Sequence, residues 1–276
     1  MAWPSERVEF FSLHEGLTWG GFAFVGDGRQ YEQLFWVGER TLTPQTVHWN
    51  EGPLGAGVGG WENSGGAWMH HGGHLALAMP MFTGSDPHVR SNYEGPLVTG
   101  TTSLLDPNGM EVLATEQPCI GGVVVDAMAH GRHTLNCTAE RNVPWSVLGT
   151  KTTATWKFTV PGHHRVDGTP VGLNAVRIDS PTIRDGFVPG GYRQDLTLDV
   201  YRQPGTDPTV AAKLRFEVSY DDGVTWKPVT VSRVGDHATA SLRHPAGARF
   251  VSTRVSATDA NGASVTSTTI RAWGVR

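Results

Sequence analysis

The sequence predicts an all-β protein built as two β-sandwich domains, and three observations carry that reading. In the C-terminal third, short runs alternate apolar and polar residues with period two, break at Asp/Gly turns and resume at once. Val218-Ser219-Tyr220-Asp221-Asp222-Gly223-Val224-Thr225-Trp226 and Ala257-Thr258-Asp259-Ala260-Asn261-Gly262 are examples. Glycine at 35 and proline at 17, with no long run of Ala, Leu, Glu and Lys, call for many turns and little helix. The length of 276 residues exceeds the needs of one small sandwich and favours two domains. Such modules hold, space or bind more often than they catalyse, so an accessory role is the default expectation.

Taken in order, the first region, residues 1–162, holds candidate strands at 7–13, 17–25, 45–49, 75–82, 101–105, 110–115, 123–129, 133–141 and 152–160. Most alternate, as half-buried antiparallel strands do, and the order suits a jelly-roll-like sandwich. Asp106-Pro107-Asn108-Gly109 reads as a turn, with proline pre-setting its own φ and Asn-Gly tolerating positive φ. Between Gly52 and Gly73 the alternation fails in a dense set of glycines that includes Trp61 and Trp68, followed by His70, His71 and His74. This reads as a long loop, and loops of that length are functional or mobile.

The polar, turn-rich stretch from Pro161 to Pro170 is the expected boundary, which leaves residues 163–276 as the second domain. Its strands are expected at 172–178, 194–201, 213–219, 225–231, 238–242, 251–257 and 264–272. That is the number found in an immunoglobulin- or fibronectin-like sandwich. No internal repeat between the two regions is visible in the sequence.

Charged residues make up 17% of the chain and the net charge is -4, with no basic cluster. This removes the electrostatic case for nucleic acid or an anionic membrane as partner. Arginine outnumbers lysine, which occurs only at Lys151, Lys157, Lys213 and Lys227, a bias expected of a GC-rich bacterial source. Cys119 and Cys137 flank a segment long enough for a strand and its turn. They either pair, which implies an oxidising compartment, or remain as two buried thiols. The first residues lack a basic n-region and an unbroken apolar run, so an export signal for a secreted protein is expected upstream of Met1.

Several residue groups bear on chemistry. His70, His71 and His74, with Glu62 or Asp86, contain the donor types of a zinc site, but a glycine-rich loop supplies neither the rigidity nor the outer hydrogen bonds that such a site needs. Solvated loop histidines are the expectation, with no metal and no cofactor. Trp61 and Trp68 either stack on sugar rings if exposed or anchor the core if buried. Ser219-Tyr220-Asp221-Asp222-Gly223-Val224-Thr225-Trp226 resembles the Asp-box hairpin of sialidases and other secreted β proteins, a turn device in which the aspartate caps backbone donors. A sialidase would carry several copies; here there is one.

His71-Gly72-Gly73-His74-Leu75-Ala76 and Gly100-Thr101-Thr102-Ser103 echo the histidine and serine motifs of subtilisin-like proteases. That chemistry needs both residues at helix starts in an α/β fold, whereas Ser103 runs into Leu104-Leu105 and a turn. No catalytic residue is therefore expected in the chain.

The run Leu242-Arg243-His244-Pro245-Ala246-Gly247-Ala248, the strand through Val251 to Ala257, and Asp259-Ala260-Asn261-Gly262 before Ser264 to Trp273 resemble the C-terminal end of large secreted subtilisin-like serine proteases of actinobacteria. Thr46-Val47-His48-Trp49-Asn50, Leu77 to Phe82, the Asn108-Gly109 hairpin and Thr155-Trp156-Lys157-Phe158 are similar to the β-rich region before that end. The resemblance implies a non-catalytic, extracellular accessory region that stabilises the protease or positions its substrate, with the protease catalytic domain of the same precursor as partner. The competing class is a stand-alone carbohydrate- or surface-binding protein that uses Trp61, Trp68, His70, His71 and His74.

Overall fold

The computed structural model describes residues 5–10, 18–25, 30–37, 44–49, 52–59, 65–85, 89–93, 98–125, 131–143, 146–162, 168–191 and 193–276, with side chains described from residue 52 onward apart from 89–93. Among these residues the fold is all-β, in antiparallel sheets of which none closes into a barrel.

The strands in chain order are β1 (Ser5–Phe10), β2 (Thr18–Val25), β3 (Gln30–Val37), β4 (Pro44–Trp49), β5 (Gly66–His70), β6 (His74–Ala78), β7 (Val89–Tyr93), β8 (Val98–Leu105), β9 (Glu111–Thr115), β10 (Ile120–Val124) and β11 (His133–Arg141). They continue as β12 (Lys151–Phe158), β13 (Thr169–Pro170), β14 (Asn174–Asp179), β15 (Phe187–Val188), β16 (Arg193–Arg202), β17 (Ala211–Ser219), β18 (Lys227–Val229), β19 (Val231–Val234), β20 (His237–Arg243), β21 (Phe250–Asp259) and β22 (Ser264–Val275). β1 pairs with β4, and β2-β3-β7 forms a separate sheet.

One long sheet, in the order β18-β17-β21-β22-β12-β11-β8-β9, forms a layer to which two four-stranded sheets contribute the opposite faces. The order β14-β16-β20-β19 against β18-β17-β21-β22 is the ABED and C′CFG arrangement of an immunoglobulin-like sandwich. β15 adds a short parallel pairing to the end of β22. The N-terminal sandwich, expected to be jelly-roll-like, places β10-β6-β5-β13 against β9-β8-β11-β12. Its β5, β6 and β10 occupy the A, B and E places, and β8, β9, β11 and β12 the C, C′, F and G places. Apart from the D strand, which has no counterpart among the described strands of the first sandwich, the same connectivity occurs twice, although the sequence shows no repeat.

The two G strands join the halves. Lys151–Lys157 pairs antiparallel with Ser264–Ile270 in unbroken register, with Ala154 opposite Ser267 at its centre. Residues on both sides of 162/163 therefore share one sheet and one buried cluster. Leu104, Leu135, Trp156 and Phe158 belong to that cluster together with Leu198, Phe216, Val265 and Trp273. β13 also returns to pair with β5, and the Gln203 amide bonds both the N–H and the C=O of Ala67, at 2.9 and 2.8 Å.

The sequence gives a physical reason for most of these elements. β11 alternates His133, Leu135, Cys137 and Ala139 inward with half-buried or exposed residues between, the pattern of a strand with one face in a core. The expected strand at 225–231 is instead two, β18 and β19, which belong to different sheets. Pro228, with no N–H to give, sits on the edge strand β18, where the loss costs nothing.

Candidate functional site

The segment between Gly52 and Gly73 contains more order than a loop. β5 and β6 form a hairpin whose tip is a single 3-10 turn, His71–Gly73, with Gly72 and Gly73 both at φ 77°. Trp68 and His70 thus lie on a strand, His71 is exposed in the turn and His74 starts the return strand. Glycine counts against a strand in sequence, yet here Gly65 and Gly66 take positive φ at the entry and leave no side chain to collide with Pro80 or Gln203.

The hairpin register sets His70 opposite His74, with ring centroids 6.1 Å apart. The His74 imidazole lies over Gly122 of β10, where an added Cβ would stand 2.9 Å from its Nε2. Among the described residues, no group of three His, Cys, Asp or Glu is arranged to hold a metal ion. Trp61, Glu62 and Asp86 lie outside the described residues. Trp68 is half-buried opposite Ala76, and its Nε1 is buried without a hydrogen-bond partner among the described residues.

Ser103 and His74 stand on opposite sides of the N-terminal core. Thr102 and Leu104 are buried on either side of Ser103, so alternation turns Ser103 to the outer face of the long sheet. Leu75 is buried beside His74, so the imidazole is on the outer face of the covering sheet.

Cys119 and Cys137 are joined as a disulfide across a sequence separation of 18. Both are buried, and the bridge ties the start of β10 to the middle of β11, one sheet to the other. Of the two alternatives left by the sequence, pairing is the one found.

The Asp221 turn joins β17 to β18, the C–C′ corner of the second sandwich. Ser219 Oγ donates to Asp221 Oδ1 at 2.6 Å, the Thr225 N–H donates to Oδ1 at 2.9 Å, and Thr225 Oγ1 donates to Oδ2 at 2.5 Å. These donors, the Ser219 hydroxyl foremost, pull the Asp221 carboxyl down to about 2. Trp226 stacks under Arg254, whose guanidinium carbon is 4.1 Å from the ring centroid.

The corresponding corner of the first sandwich, between β8 and β9, uses the same device. Asp106 Oδ1 accepts from the N–H groups of Asn108 and Met110, both at 2.8 Å, which lowers the Asp106 pKa, the Met110 bond contributing most.

A third polar group was not anticipated from sequence. Gln194, at the start of β16, places Oε1 2.9 Å from His244 Nε2, and His244 Nδ1 is 3.2 Å from the Tyr220 hydroxyl. Burial pushes the His244 pKa down and the Tyr220 pKa up. Gln194 occupies an inward position of an ordinary alternating strand, so the only available signal was a polar residue where Leu196 and Leu198 set an apolar face.

No protein-family model matches the chain, and no curated protein matches it.

Proposed function

We propose that this chain is a non-catalytic accessory region of a secreted subtilisin-like protease, holding the catalytic domain or its substrate at a fixed spacing. The observation that supports this is the seven-residue pairing of β12 with β22, which makes two sandwiches into one stiff body. Rigid connection through a shared sheet suits a spacer, whereas a flexible linker between modules does not fix distance or orientation. The buried disulfide is compatible with an extracellular setting. Among the described residues no helix is long and apolar enough to cross a membrane.

The test is to read the frame that contains Met1 and, where it encodes a protease, to compare thermal inactivation of the secreted enzyme with and without residues 1–276. The expected result is a protease frame and a shortened half-life on deletion. A frame with no protease, or an unchanged half-life and unchanged processing of protein substrates, overturns the reading.

One observation favours the second class, a stand-alone binder of a carbohydrate or other neutral surface. The register aligns Thr101, Thr138, Thr153 and Thr268 in one row across the long sheet, with Ser103, Asn136, Thr155 and Thr266 in the next. This patch of hydroxyls and one amide, flanked on the same face by the Glu140–Lys151 and Glu217–Arg254 pairs, suits a hydroxyl-rich partner. Retention of the chain on insoluble cellulose or chitin, lost in a Thr153→Arg/Thr268→Arg variant, would select this reading over the first.

A further inference from the structure

The second sandwich has a pocket of about 390 Å3 at the end where β14 finishes and β16 begins. Its walls are Pro181, Val188 and Pro189, its cations are Arg184 and Arg193, and Gln194 lines it as well. That size is within the usual range for a small-molecule site, and apolar walls with a few placed polar groups are the usual composition.

Gln194 is the buried polar member of the lining. It is 2% exposed, and its Oε1 is engaged with His244 Nε2 at 2.9 Å. With the Tyr220 hydroxyl donating to Nδ1 and Nε2–H donating to Oε1, the chain Tyr220–His244–Gln194 is satisfied up to its last atom. Gln194 Nε2 is buried with no acceptor among the described residues. That nitrogen has essentially no accessible surface, so the pocket does not reach it, and Gln194 contributes a closed wall.

The two arginines supply the charge. Arg184 is held in place by Nη1, which donates to the carbonyls of Pro181 and Ile183 at 2.8 and 2.7 Å. Arg193 makes a 3.2 Å contact with Asp195, but both side chains are 70% exposed, so the pair is screened and weak. Guanidinium groups select flat oxyanions.

We propose that this pocket binds a small amphiphilic carboxylate. The hydrocarbon body lies against Pro181, Val188 and Pro189, and the carboxylate takes hydrogen bonds from Arg184 and Arg193. The assignment stands apart from the accessory reading and neither requires nor follows from it.

The experiment titrates the full chain with sodium octanoate, octylammonium chloride and inorganic phosphate, following backbone and Gln194 side-chain amide resonances by NMR together with heats of binding. The expected result is saturable octanoate binding that shifts the Gln194 amide, with no saturable response to octylammonium or phosphate. Arg193→Gln is expected to weaken octanoate at least tenfold with an unchanged thermal midpoint. Thr182 is an exposed residue of the same lining, and Thr182→Trp, which adds bulk there, is expected to abolish binding. Equal binding of octylammonium, saturable phosphate binding of similar strength, no saturation by octanoate, or indifference to Arg193→Gln would each overturn the proposal.

Discussion

Arg202 donates to the almost fully buried carboxylate of Asp259 across 2.8 Å, at the seam where the two sandwiches meet. The other donors to Asp259 are Asn174 Nδ2 at 3.1 Å and the Ala263 N–H at 2.9 Å. Asn174 in turn accepts from Trp156 Nε1 of β12 at 2.9 Å. A side chain of the first sandwich is thereby connected through Asn174 to a carboxylate of the second.

Asp259→Ala removes the acceptor for three donors and leaves the Arg202 charge unpaired. Loss of one partner of a buried ion pair costs about 3 kcal/mol or more. Urea unfolding should show a lower midpoint with an unchanged slope, since the shared core keeps unfolding cooperative.

The Asp221 corner predicts a pH window. Its carboxyl titrates near 2 in the fold, below the unperturbed 3.8. The stability it contributes is therefore complete above 3.8 and is lost as pH falls through 2. A carboxyl-carbon NMR titration should place the midpoint near 2 and move it upward in Ser219→Ala, because the Ser219 hydroxyl is the leading cause of the depression.

Two buried histidines act over a higher range. Burial lowers the pKa of His244 and of His133, the latter against an opposing pull from Asp106. The unfolded chain takes up protons at about 6.5 that the fold refuses, so their effect is nil above that value and destabilising as pH drops below it. Ring-proton resonances of both residues should titrate below 6.5, and the unfolding midpoint should fall with acidification over the same range.

Reduction of the Cys119–Cys137 bridge should destabilise the fold by about 3 kcal/mol on the chain-entropy account, given the 18-residue separation. Thermal unfolding with and without reductant, or of Cys137→Ser, measures it. A mass increase on reduction and alkylation independently reports the bridge.

The second sandwich was readable because its strands are long, alternate cleanly and are separated by turn chemistry. β16, β17, β20, β21 and β22 fall where alternation puts them, within a few residues. What failed was local. β10 was expected at 123–129 and runs over Ile120–Val124. Its Gly121 and Gly122 read as breakers, yet they let Leu113 and His74 lie across the strand, where Cβ atoms would come within 2.9 Å. β3 and β7 were missed altogether. The site was less legible than the fold, because Gln194, His244 and Arg184 come together only through strand pairing and loop closure, which sequence spacing does not encode.

The antiparallel meeting of β12 and β22 also fixes which way the molecule faces. Because those two strands are related by a local two-fold rotation near Ala154 and Ser267, the Asp106 and Asp221 corners leave the long sheet at opposite margins. The two corners therefore face away from each other, separated by the full length of the strands between them.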